Sequence, residues 1–195
     1  MSRLLALGLV AVLVSGAAAG GNPDVRVYID FDPPNYAHEM VPVPYETFDA
    51  YVCMDNVEGG VTTVSFRVTD LVAEYPAVFA TQNWTQLFPG QLPLCWPYSE
   101  WGSTIHADDC MTEDGGPVLV GYLSYFYLGN GSACLEILDH VGYPRWVVDC
   151  ADPGEVDYYC VLANGRINGG ACPDGDCTQT PLQDGTWGMV KAMYR

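Results

Sequence analysis

Eight cysteines, all downstream of an apolar leader, constrain this chain more than any other feature: Cys53, Cys95, Cys110, Cys134, Cys150, Cys160, Cys172 and Cys177. The leader opens Met1-Ser2-Arg3, runs apolar from Leu4 to Val14 and ends in Ser15-Gly16-Ala17-Ala18-Ala19. A positive start, a short apolar core and a small-residue cleavage site are the marks of a secretory signal peptide, expected to be cut after Ala19. The apolar run falls short of the about 20 residues that span a bilayer, so no membrane span is expected. An even cysteine count in an oxidising compartment predicts disulfides. The protein is therefore expected to be exported: periplasmic, at the cell surface or extracellular.

The expected pairing stays open. Nearness in sequence favours Cys172–Cys177, Cys150–Cys160 and Cys95–Cys110, leaving Cys53 with Cys134. Cys134–Cys150 with Cys160–Cys172 is a comparable alternative. Zinc prefers cysteines in paired, closely spaced clusters. No C-x-x-C occurs here, and C-x4-C occurs once, at Cys172 and Cys177. A reactive thiol needs cationic neighbours to lower its pKa, and cations are scarce.

Net charge is −17, and Lys191 is the single lysine. Nucleic acid and anionic membranes are bound through Lys and Arg, so both are excluded as partners. Acidic chains can be disordered when hydrophobicity is low. This one is 49% hydrophobic and 12% aromatic, enough to build a core.

The hydrophobic period is two. Val25, Val27, Ile29 and Phe31 alternate with polar residues, which predicts a half-buried strand. Phe48, Ala50, Val52 and Met54 predict a second, and Thr62, Val64, Phe66 and Val68 a third. The turn 56–60 between these two predicts a hairpin. Residues 118–128 carry bulk on both faces, as in a strand inside a sheet, and Leu135 and Ile137 are expected to begin its return. Residues 145–149 and 158–163 read as further short strands, and 164–184 as a stapled loop. Between Tyr75 and Gly116 the pattern dissolves into an aromatic-rich insertion. The fold class expected is all-β: an antiparallel, disulfide-stapled β-sandwich or jelly roll with a long aromatic-rich loop. Residues 1–19 are the signal, 20–185 one sandwich domain, and 186–195 a tail forming a last strand or short helix.

No catalytic motif stands out. His106 with Asp108 and Asp109 is the tightest His/carboxylate group, but no nucleophile is signposted. Asp108 and Asp109 are the candidates for a carboxylate-dependent hydrolase. Asp174-Gly175-Asp176 imitates the opening of a calcium loop without its closing Glu, so no cofactor is expected beyond weak calcium binding at Asp174 and Asp176. Exposed aromatics beside carboxylates stack on sugar rings, and Trp84, Trp96, Tyr98 and Trp101 form the expected platform. Asn83-Trp84-Thr85 and Asn130-Gly131-Ser132 match the N-glycosylation acceptor.

Two segments carry a resemblance. Phe48-Asp49-Ala50-Tyr51-Val52 with Phe66-Arg67-Val68, and then Leu123-Ser124-Tyr125-Phe126-Tyr127-Leu128, resemble uncharacterised secreted β-sandwich proteins of environmental bacteria. Their layout is distantly similar to cohesin-like and carbohydrate-binding sandwiches. The tail Thr186-Trp187-Gly188, Lys191, Tyr194-Arg195 resembles a short C-terminal motif found on unrelated exported proteins. The resemblance brings no activity and supports fold and location only; the function expected is a non-enzymatic module of the envelope or extracellular space that binds protein or glycan through its loops. For the tail the resemblance implies a sorting or attachment partner. A structural surface component is the further alternative.

Overall fold

The computed structural model describes residues 24–91, 95–139, 145–150 and 156–176. The expected signal, His140, Cys177 and the tail 186–195 lie outside the described residues. In chain order the elements are β1 (Arg26–Asp30), β2 (Glu39–Met40), β3 (Thr47–Asp55), β4 (Val61–Val68), α1 (Leu71–Glu74), β5 (Phe79–Gln86), β6 (Gly90–Gln91), β7 (Ser103–Met111), β8 (Val118–Tyr127), β9 (Ala133–Leu135), β10 (Ile137–Leu138), β11 (Trp146–Asp149), β12 (Val156–Asp157), β13 (Cys160–Ala163) and β14 (Gly165–Ile167).

The fold is the all-β sandwich expected. One sheet runs β13-β1-β3-β8-β5 and the other β12-β11-β4-β7-β6, with β10 also on β4. A small sheet, β2-β14-β9, stands beside them. Pairing is mostly antiparallel; β1 with β13 and β14 with β2 are parallel.

The core lies between the two large sheets. Phe48, Ala50, Val52 and Met54 of β3 face Val61, Val64, Phe66 and Val68 of β4 across it. These two strands do not form the predicted hairpin: β3 pairs with β1 and β8, whereas β4 pairs with β7, β10 and β11. Alternation reports which side chains share a face, not which strand lies alongside. The turn at 56–60 thus carries the chain from one sheet to the other. Likewise the strand after β8 does not return along it, because β9 pairs with β14.

The segment 75–116 is more ordered than its sequence suggests. It contains β5, β6 and β7, and of the described residues between β6 and β7 only 95–102 lie outside a strand. The inward face of β5 bears Gln82 and Gln86 around Trp84, which hides its alternation.

β8 carries bulk on both faces through a bulge. Its register on β3 shifts between Val52 and Cys53, opposite Gly121 and Leu119. Val118 and Val120 therefore share the core face with Leu123, Tyr125 and Tyr127. Gly121 also makes room for Trp84: a Cβ there would come within 2.4 Å of the indole ring.

The outer face of β1 is covered as well, so this strand is not half-buried. Tyr28 and Asp30 are fully buried. The Asp30 carboxylate accepts backbone N–H bonds from Asp32 (2.9 Å), Tyr36 (3.1 Å) and Ala37 (2.9 Å). That folds the segment 31–37 back over the sheet. Tyr36 then stacks on Tyr28, and His38 meets Tyr28 edge-on.

Two bridges staple the fold, Cys110–Cys150 and Cys134–Cys172, with Cα–Cα distances of 6.0 and 5.2 Å. Cys160 is also disulfide-bonded, to a partner outside the described residues. Cys172–Cys177, Cys150–Cys160, Cys95–Cys110 and both members of the alternative set are thereby corrected. Cys53 and Cys95 are free, contrary to the expectation that all eight cysteines pair. Cys53 sits in the sheet interior under the 31–37 segment, opposite Tyr28.

Candidate functional site

Of the expected aromatic platform, the structure brings Trp96 and Tyr98 together. Their rings lie 6.5 Å apart and 11° from parallel. Trp96 is 52% exposed and Trp101, at the end of the same loop, 63%. Trp84 is corrected out of the platform. It is 8% exposed and meets Phe66 of the opposite sheet edge-on, at 5.8 Å. An indole buries a large apolar area, and on an inward strand position the core takes it.

The loop is held at the sandwich rim by its backbone. Val68 N–H donates to the Pro97 carbonyl at 2.9 Å, and turns close from Ser99 to Trp96 and from Gly102 to Ser99. Arg67 donates to the Glu100 carbonyl at 3.4 Å. Tyr98 packs its inner edge on the core.

A polar group that sequence reasoning missed lies between α1 and β5. Asp70 caps α1, its Oδ1 accepting from Ala73 N–H at 2.9 Å. The same oxygen accepts from Gln82 Nε2 at 2.7 Å. Burial, then the Asp70 carboxylate, push the Tyr98 hydroxyl above the usual tyrosine range. Burial, then Asp70 and Tyr98, push that of Tyr125 well above it. Both phenols are therefore protonated hydrogen-bond donors at neutral pH. A glutamine at an inward strand position was the available signal, but it is legible only once β5 is recognised as a strand.

The remaining candidates are dispersed. His106 Nδ1 lies 2.8 Å from Thr63 Oγ1, across the β4–β7 pair. Asp108 and Asp109 follow it on the exposed outside of β7, where the register with β4 is irregular. Asp174 lies 3.7 Å from Arg166, and Asp176 3.6 Å from the buried Arg145, which also holds Asp139 at 3.0 Å. Their carboxylates thus face guanidinium groups. Among the described residues, no three His, Cys, Asp or Glu side chains gather closely enough to hold a metal. A cavity of about 340 Å³ is lined by His38, Glu39, Asn164, Arg166 and Asp174, among others. The His38 Nδ1–H donates to the Ile29 carbonyl at 2.6 Å, which leaves Nε2 without the proton in the neutral ring. Asn83 and Asn130 of the two glycosylation acceptors are both exposed.

Burial pushes the Cys53 thiol far up, and the Asp30 and Asp55 carboxylates add to the shift. It is therefore expected to resist maleimide at pH 8 in the native protein and to react once denaturant is added, as read by peptide mass mapping. Native labelling would show that the 31–37 cover opens readily.

No protein-family model matches the chain, and no curated protein does. Solved structures similar at low identity include the three that follow. CaCohA2 from Clostridium acetobutylicum, in solution, is 14% identical over 80% of this chain and 96% of its own, with TM-score 0.47. The sixth cohesin from scaffoldin B of Acetivibrio cellulolyticus, in complex with a mutant Cel5 dockerin, is 14% identical over 74% and 98%, with TM-score 0.48. The second type II cohesin module of the adaptor ScaA of Acetivibrio cellulolyticus is 11% identical over 77% and 97%, with TM-score 0.43. The expected likeness to cohesins is thus a distant one of layout, and values this low assign no partner to this chain.

Proposed function

We propose that the protein is an exported, non-enzymatic binding module that recognises a glycan through the aromatic loop at its rim. The observation that carries this is the exposed, near-parallel Trp96/Tyr98 pair, followed on the same loop by the exposed Trp101. A flat aromatic strip stacks on the apolar face of a sugar ring. Export rests on the leader sequence, and the two bridges fit an oxidising compartment. Among the described residues, no helix is long and apolar enough to cross a membrane. The tail 186–195 is read as a sorting or attachment segment.

Retention on a panel of polysaccharides tests this. The Trp96→Ala variant is expected to bind at least about tenfold more weakly than the wild type. Its melting temperature should barely move, because Trp96 is half exposed. Failure of the wild type to bind any of the panel, or equal binding by the variant, would reject the reading. A protein partner is the second reading. The row Val41, Val43 and Tyr45, exposed at 75%, 57% and 69%, favours it, because such apolar rows mark interaction surfaces.

A further inference from the structure

The cavity of about 340 Å³ lies where β2, β13, β14 and the segment 173–175 meet, and the aromatic loop takes no part in it. Its volume is at the small end for a ligand site, room for one small molecule. Its walls are fixed on both sides. On one, β14 pairs with β2, and Arg166 N–H donates to the His38 carbonyl at 2.8 Å. On the other, the buried Asn164 uses both ends of its amide. Its Oδ1 accepts from Ile137 N–H at 3.0 Å, and its Nδ2 donates to the Pro173 carbonyl at 3.1 Å. Val161 N–H donates to the Asp176 carbonyl at 3.1 Å, and the Cys134–Cys172 bridge anchors the start of this segment. Gly175 lies so close on β13 that a Cβ would come within 2.1 Å of the Leu162 carbonyl oxygen. Walls held this way need no ordering when a ligand enters.

Both signs of charge line the cavity. Arg166 and Glu39 are direct partners in the β14–β2 register, so their side chains leave one face side by side. Among the described residues they form no ion pair with each other; Arg166 pairs with Asp174, at 3.7 Å. That aspartate is fully exposed, and an exposed pair of this length contributes little. The guanidinium can therefore exchange it for another anion. His38 commits its Nδ1–H to the Ile29 carbonyl, which leaves Nε2 to accept. Leu162 and Pro173 add an apolar wall.

The complement follows from these groups. A simple anion would meet Arg166 but also the carboxylates of Glu39 and Asp174. A simple cation would meet the carboxylates but also Arg166. A molecule with a carboxylate and an ammonium on one carbon satisfies both signs. Its carboxylate takes Arg166, and its ammonium donates to Glu39 and to His38 Nε2. Its side chain then turns to Leu162 and Pro173.

We infer that this cavity binds a free α-amino acid with an apolar side chain, a function beyond the glycan reading and independent of it. Titration of the isotope-labelled protein, followed by amide shifts in NMR, tests it with leucine, valine and phenylalanine. At least one should bind with a dissociation constant of about 1 mM or tighter, and move the amides of 38–40 and 162–166. N-acetyl-leucine lacks the ammonium and leucine amide the carboxylate, so each should bind at least about tenfold more weakly than leucine. Arg166→Gln should weaken leucine about tenfold and leave leucine amide unchanged. Glu39→Gln should weaken leucine likewise and leave N-acetyl-leucine unchanged. A merely structural role would shift every ligand together. Both side chains are exposed, so the melting temperatures should barely move. No binding by any of the three amino acids overturns the inference. So does binding of both blocked forms as tight as leucine, or unchanged leucine affinity in both variants.

Discussion

The double variant Cys134→Ser/Cys172→Ser is expected to lose about 4 kcal/mol of stability. The bridge closes a sequence separation of 38 residues, and the Cys110–Cys150 bridge one of 40. In the chain-entropy account, opening either loop returns that much freedom to the unfolded chain. Position adds to the effect. Cys134 lies in β9, a three-residue strand, and Cys172 follows β14, also three residues; with the two-residue β2 they make the small sheet. Pairs this short hold together poorly by hydrogen bonding alone. The other bridge ties β7 to the end of β11 over the Gly60 turn, where a Cβ on Gly60 would sit 2.6 Å from Cys110 Sγ. For a chain of this size each bridge corresponds to a melting shift of about 8–16 °C. Thermal melting followed by circular dichroism reads it. A shift below about 2 °C would mean that strand pairing alone holds the small sheet.

Asp30→Ala is expected to cost about 3–5 kcal/mol. The carboxylate is fully buried and satisfies three backbone N–H groups at once. Alanine leaves those donors without an acceptor, and the segment 31–37 loses its anchor. Tyr28 and Cys53 then lose their cover, so Cys53 should label within minutes in a native buffer. Asp30→Asn keeps one acceptor oxygen and should fall between wild type and alanine in both readouts. Full protection of Cys53 in Asp30→Ala would show that the aromatic contacts of Tyr36 and His38 hold the cover by themselves.

Strands were legible wherever one face is apolar. The alternation of Val25 to Phe31, Phe48 to Met54 and Thr62 to Val68 marked β1, β3 and β4, and bulk on both faces of 118–128 marked β8. β5 was illegible because Gln82 and Gln86 occupy its inward positions. β7 was illegible because exposed Asp108, Asp109 and Cys110 interrupt its alternation. The aromatic loop could be named from composition, and Trp96 and Tyr98 with it. Trp84 could not be separated from them, because residue type tells how much area an indole buries and not which way its strand turns it.

The cysteines make the same point at longer range. Closeness in sequence favoured pairs within one loop, yet bridges form between Cα atoms about 5–6 Å apart in space. That distance is set by strands that come together from residues 38 and 40 apart.

From its sequence alone this protein was determined to be an acidic, cysteine-rich, all-β chain with an aromatic loop, and the inward face of each alternating strand was known. Tertiary structure alone decided which strands are neighbours, which cysteines bridge, that Trp84 belongs to the core, and that Asp70 and Tyr125 meet at Gln82. The division is physical: alternation is a local property of the pleated backbone, whereas pairing and burial are chosen by what the whole core can enclose.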